Sequence, residues 1–78
     1  MKLNEVFDSP WTSWQVEDSP FGIERIDSKY YSIFRKFGSN RIYLREQGFI
    51  SRAQALAYLE PMVEKYRSSI VTAILEAN

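Results

Sequence analysis

The side chains best suited to binding chemistry lie close together in one stretch, residues 29–46, where aromatic and basic residues are interleaved more densely than elsewhere. Aromatic rings can stack on unpaired bases, and arginine and lysine neutralise phosphates, so this pattern is typical of surfaces that bind single-stranded RNA or DNA. Tyrosine and arginine are also enriched in protein–protein interfaces. A solvated sheet face with ordinary cross-strand pairs is a third interpretation, and the residues alone leave all three open.

The charge is distributed unevenly along the chain, although the formal net charge is zero. Residues 25–52 contain seven basic and two acidic residues, whereas residues 1–24 contain one basic and five acidic residues. Such asymmetry creates a local positive field that the total charge conceals. The positive segment coincides with the aromatic one, so the same surface would suit an acidic protein or a nucleic acid, or would be an ordinary solvated face.

Several classes of chemistry are excluded or made improbable by composition. The chain has no cysteine and no histidine, so it lacks disulfides, thiolate metal sites and the commonest general base. It contains no glycine-rich phosphate loop and no nucleophile paired with a base. We therefore expect a protein that is not an enzyme and that has no metal or cofactor. No apolar run is long enough to span a membrane and the first ten residues do not resemble a signal, so we expect a cytoplasmic protein.

The aromatic and basic stretch is predicted to be a β-hairpin, with a break at residues 38–40. In its second strand Ile42 and Leu44 should face the core, and in its first strand Ile33 and Phe37 are the better core residues. A shift of one residue would exchange the faces. With this assignment, the predicted binding residues on the open face are Tyr30, Phe34, Lys36, Arg41, Tyr43 and Arg45.

The remaining elements follow from periodicity and capping signals. Leu3, Val6 and Phe7 have helical spacing, so residues 2–8 are predicted to form a short helical turn. Alternating residues around 14–16 and 21–23 predict two further strands. Ser51, with a glutamine three residues later, is a good helix N-cap. Apolar residues then recur in steps of three and four, predicting one helix face; they are Leu56, Leu59, Val63, Tyr66, Ile70 and Ala73.

Two features of the predicted helix bear on its packing. Pro61 deletes one backbone hydrogen bond, at a cost of about 3 kcal/mol, and predicts a kink. Val71, Ile74 and Leu75 lie off the main stripe, so they should receive apolar residues of the N-terminal segment or form a homodimer contact. The predicted fold is a single α+β domain, residues 1–78, in two layers: an antiparallel β-meander of three to four strands packed on a long C-terminal helix kinked near Pro61, with a short N-terminal helical turn.

The opening residues MKLNEVFDSP, followed by Trp11 and Trp14, resemble the leader of small accessory proteins of large tailed phages. Together with the predicted meander and helix, this resemblance implies a class of role. Such proteins are commonly non-enzymatic and act in the host cytoplasm by binding and blocking host proteins, including defence enzymes, or by binding nucleic acid. The resemblance assigns no site residue. The expected function is thus binding and blocking a host protein, with single-stranded nucleic-acid binding by residues 29–46 as the alternative.

Overall fold

In the described part of the chain, five short strands follow one another in a simple antiparallel meander, and a long helix comes after them. The structure is a computed structural model, and it describes residues 1–7, 12–44 and 48–77. The sheet has the order β1-β2-β3-β4-β5. The elements are β1 (Leu3–Val6), β2 (Ser13–Val16), β3 (Phe21–Arg25), β4 (Tyr31–Phe37), β5 (Asn40–Tyr43) and α1 (Arg52–Ala77). The predicted α+β class with an antiparallel meander and a long C-terminal helix is confirmed.

The predicted hairpin is formed by β4 and β5. Phe34 is opposite Tyr43, and Lys36 is opposite Arg41. Gly38 lies at the turn with a φ of 60°, in the left-handed region that glycine adopts without steric cost. Leu44 extends the pairing by donating its amide to the carbonyl of Ile33 at 3.1 Å.

The prediction of a short N-terminal helical turn is wrong. Residues 3–6 form β1 at the edge of the sheet, where Leu3 is opposite Val16 and Glu5 is opposite Trp14. Seven residues with two or three apolar positions satisfy helical spacing, but an isolated helix of that length is unstable in water. Pairing with β2 instead gives these residues backbone hydrogen bonds. The sheet consequently has five strands rather than three or four.

The helix begins as its capping signals predict. The Ser51 hydroxyl accepts the amide of Gln54 at 3.1 Å, and the Gln54 side chain accepts the amide of Ile50 at 3.0 Å. The guanidinium of Arg52 lies 4.8 Å from the centre of the Trp14 ring, which ties the first turn to the sheet. The helix continues through Pro61 to Ala77 as one element, and a kink at the proline stays a prediction.

The core lies between the helix and the central strands, since α1 packs against β3 and β4. Its fully or almost fully buried apolar residues are Val16, Phe21, Ile23, Ile33, Phe49, Ala55, Leu59 and Val63. Strand alternation places the odd-numbered residues of β4 on this helix-facing side, as predicted. Phe37 and Ile42 share that side but are 48% and 54% exposed. Their expected burial is wrong because the helix covers the central strands and leaves the far end of the hairpin open.

Candidate functional site

The outer face of the sheet, which points away from the helix, carries most of the residues predicted to bind. Phe34 occupies its centre and is fully buried, although no helix covers it. Its ring lies against Gly22 of the neighbouring strand, where a Cβ would collide with the ring and with the Trp14 carbonyl oxygen. The Arg41 guanidinium lies 4.3 Å from the ring centre. The expected exposure of Phe34 is therefore wrong, because side chains of the sheet itself cover the ring.

A buried carboxylate organises the polar side chains around this ring. Glu24 is only 5% exposed, and it accepts Arg41 Nη1 at 3.0 Å and the Tyr43 hydroxyl at 2.6 Å. Arg41 Nη2 also donates to the Ser13 hydroxyl at 3.3 Å. Both oxygens of the carboxylate thus have a partner, as a buried charge requires.

The same contacts change the acidity of Tyr43. Burial raises the pKa of its hydroxyl above the ordinary value of 10.0, and the hydrogen bond to Glu24 and the charge of that carboxylate raise it further. The charge of Arg41 and its hydrogen bond to Tyr43 lower the pKa and so offset part of this increase. The hydroxyl therefore remains a proton donor to Glu24 throughout the neutral range.

The structure places the six predicted residues in three different settings. Phe34, Arg41 and Tyr43 come together in the cluster just described. Lys36 lies beside them on the outer face, opposite Arg41, and is partly buried. Tyr30 precedes β4, is 42% exposed and has its Cβ close to Gly48. Arg45 lies outside the described residues.

This arrangement gives little support to base stacking on the outer face. Stacking requires an accessible ring, whereas the Phe34 ring is covered. Arg41 and Tyr43 both hold the Glu24 carboxylate, so binding a phosphate or a base would compete with these contacts. The contacts indicate that the cluster's main role is to close and stabilise this side of the sheet.

The second half of the helix presents a different kind of surface. A helix of 26 residues is about 39 Å long, whereas the seven residues of β4 span about 23 Å. Leu59 and Val63 are fully buried against the sheet, and Tyr66 is partly buried. Farther along, four large apolar residues are 40–71% exposed, and we call them the helix-end surface: Ile70, Val71, Ile74 and Leu75.

A groove of about 580 Å³ runs beside the helix-end surface, between the sheet and the helix. Its apolar wall consists of Phe21, Leu44, Met62, Tyr66 and Ile70. Of the described residues that line it, Arg35 and Lys65 are charged. Ile70 belongs both to the groove and to the helix-end surface, so the two form one continuous region.

Arg35 is the feature of this region that our sequence interpretation missed. Its guanidinium carbon lies 4.8 Å from the centre of the Phe37 ring and 5.5 Å from those of Phe21 and Tyr66. The signal was present, because the alternation that turns Ile33 inward also turns Arg35 inward. An inward-facing arginine between core positions is unusual, which makes this position a candidate for binding.

The described part of the chain lacks a metal-ligand cluster and a membrane-spanning helix. Across residues 1–7, 12–44 and 48–77, no three acidic side chains are grouped so that they could hold a metal ion. Within those same ranges, no helix has the length and apolar character needed to cross a membrane. A scan against models of known protein families found no match, and neither did searches of curated proteins and of solved structures.

Proposed function

We propose that this chain is a small non-enzymatic binding protein that docks on another protein through its helix-end surface and thereby blocks it. The observation that carries the proposal is the group of four large apolar residues within two helical turns, each 40–71% exposed. Contiguous apolar surface of this kind is rare on monomeric proteins outside interaction sites. No charged residue interrupts the sequence between Arg67 and Glu76, so this part of the helix is not built as a solvated face.

Helix energetics lead to the same conclusion. Most of the stability of a protein helix comes from packing of its apolar face, and short unsupported helical segments are marginal in water. The first turns of α1 have that packing against β3 and β4. The turns that contain Val71 and Leu75 present large apolar side chains to solvent. A partner that covered these side chains would bury apolar surface and would stabilise the end of the helix.

The proposed role follows the type of small accessory protein that the opening residues resemble. In that role the chain would act in the cytoplasm, in the host cell if it is encoded by a phage, and its partner would be a host protein such as a defence factor. Blocking needs no catalytic group, because a docked domain of 78 residues covers a standard interface of roughly 800 Å² on its partner. The alternative is that the helix-end surface forms a homodimer contact with a second copy of this chain.

Paired charge substitutions test the proposal. The variant Val71→Glu/Leu75→Glu places charges in the helix-end surface, whereas Ile50→Glu introduces one at a site that is also 71% exposed but lies before the helix. We expect a protein captured from host lysate, then purified, to bind the wild type and Ile50→Glu equally and to bind the double variant at least about tenfold more weakly.

Two results would contradict the proposal. Equal binding of the purified partner to all three proteins would show that docking does not use the helix-end surface. Sedimentation of the isolated wild type as a dimer, with a monomeric double variant, would assign these residues to self-association instead. The circular dichroism melting curves of the variants establish that each is folded before binding is measured.

A further inference from the structure

The groove beside the helix-end surface holds a positive charge that the described residues do not neutralise. The Arg35 side chain makes no hydrogen bond or ion pair with any residue in 1–7, 12–44 or 48–77, and its buried Nε has no hydrogen-bond partner there. An arginine is charged at every physiological pH. A partly buried guanidinium therefore sits in a mainly apolar wall with its donors available.

Three aromatic rings hold this guanidinium in place. Phe21, Phe37 and Tyr66 surround it at 4.8–5.5 Å, and each such contact offsets part of the cost of removing the cation from water. The rings stabilise the charge but accept no hydrogen bond in its plane. They orient the group, while its N–H donors bond to no residue in the described part of the chain.

The lining of the groove shows which acceptor would suit it. Among the described residues that line it, the charged ones are Arg35 and Lys65, both positive, and none is acidic. Arginine pairs with a carboxylate through two parallel hydrogen bonds, which are about twice as strong as neutral ones. Complementary charge and the planar geometry of the guanidinium both favour a carboxylate.

The size and lining of the groove indicate which chemical groups of the ligand should lie next to that carboxylate. A volume of about 580 Å³ lies within the range of roughly 300–1,000 Å³ that is typical of ligand sites. The wall is predominantly apolar, through Leu44, Met62 and Ile70 among others. The fitting occupant thus has one or two bulky apolar groups next to its negative charge.

We propose that this groove receives a peptide segment of the partner protein in which an aspartate or glutamate adjoins one or two bulky apolar residues, with Arg35 binding the carboxylate. The inference rests on the proposed function, because it takes the partner to be a protein docked on the adjoining helix-end surface. Lys65, exposed on the helix, attracts the acidic segment to the mouth of the groove.

A selection from random 12-residue peptides displayed on a carrier tests the chemistry without knowing the partner. Peptides enriched on the wild-type protein should contain an acidic residue next to bulky apolar ones. For a fluorescein-labelled peptide from that pool, changing the acidic residue to its amide should lower the affinity at least about tenfold. An enriched pool without acidic residues, or an unchanged affinity of the amide form, would overturn the inference.

Protein variants assign the effect to the groove. Arg35→Gln should abolish the preference for the acidic peptide over its amide form, and Arg35→Lys should retain part of it. Lys65 is exposed, so the Lys65→Glu variant should fold normally. It should bind the peptide about threefold or more weakly. Lys29→Glu makes the same charge change in the exposed turn before β4 and should leave affinity within about twofold of wild type.

The outcomes separate this inference from the proposed function. Peptides that bind the wild type and Arg35→Gln equally, but lose binding to Val71→Glu/Leu75→Glu, would overturn the carboxylate site and leave docking on the helix-end surface intact. A selection that enriches no peptide would also overturn the inference, while the capture experiment would still report on docking. If Lys65→Glu and Lys29→Glu weakened peptide binding equally, the attraction of acidic peptides would be nonspecific. That result would count against the groove as the binding site.

Discussion

Replacing Glu24 with alanine should destabilise the fold strongly, although this residue lies on the sheet face that no helix covers. The substitution removes the acceptor of two hydrogen bonds, at 3.0 Å from Arg41 and at 2.6 Å from Tyr43. The Arg41 side chain is only 12% exposed and lies over the Phe34 ring. Its charge would remain in this buried setting after the Glu24 carboxylate is removed.

The magnitude follows from the burial of the pair. Removing one partner of a buried ion pair costs about 3–5 kcal/mol. A chain of 78 residues is stable by only about 4–12 kcal/mol. The Glu24→Ala variant should therefore lose about a quarter or more of its unfolding free energy, and each kcal/mol lost should lower Tm by about 4–8 °C in a domain of this size.

Urea unfolding followed by circular dichroism measures the loss, and a second ion pair provides the control. Lys2 and Glu17 lie 3.5 Å apart with side chains 68% and 44% exposed; Glu17→Ala should cost less than about 1 kcal/mol. The double variant Glu24→Ala/Arg41→Ala should be more stable than the two single losses predict, with a coupling of about 1 kcal/mol or more. If Glu24→Ala lost no more unfolding free energy than Glu17→Ala, the inference that the Glu24 cluster stabilises the outer face of the sheet would be refuted.

Three further predictions concern single features of the fold. Gly22→Ala should cost about 1–3 kcal/mol in urea unfolding, because the added Cβ would lie 2.7 Å from a backbone oxygen as well as against the Phe34 ring; a neutral effect would contradict the close packing. Ser51→Ala should cost about 0.5–2 kcal/mol through loss of the cap, whereas the exposed helix residue change Ser68→Ala should not destabilise. Because the pKa of Tyr43 is raised, the folded state holds its proton more tightly than the unfolded chain, so this contribution to stability is complete below about pH 10 and is lost as pH rises further. Absorbance titration should show Tyr43→Phe removing a transition above that pH, and a removed transition at or below about pH 10 would contradict the raised pKa.

Local patterns in the sequence were sufficient for the elements that they specify directly. The cap at Ser51, the helix face with Leu59 and Val63, and the inward side of β4 are all set by near neighbours along the chain. The N-terminal strand was not predictable from spacing, because residues 3–6 become a strand only through pairing with β2. The pairing with β2 determines the conformation of this segment, although the spacing of its apolar residues is typical of a helix.

The candidate site was predicted less well for a related reason. Alternation correctly assigned Phe34 to the outer face, but alternation does not report how a side chain is covered. The covering groups come from Gly22 and Arg41 on the two adjacent strands. Similarly, the apolar character of Val71 and Leu75 was evident from the sequence. Their exposure depends on where the sheet ends beneath the helix, and the periodicity of apolar residues does not reveal that position.

Site-specific photocrosslinking tests most directly which surface meets the partner. A benzophenone amino acid would replace Leu75 on the helix-end surface, Tyr43 on the outer face of the sheet, or Ile50 as a control; these residues are 71%, 49% and 71% exposed. With the purified partner, we expect a covalent adduct from position 75 and none from positions 43 and 50. An adduct from position 43 without one from position 75 would contradict the proposed docking mode.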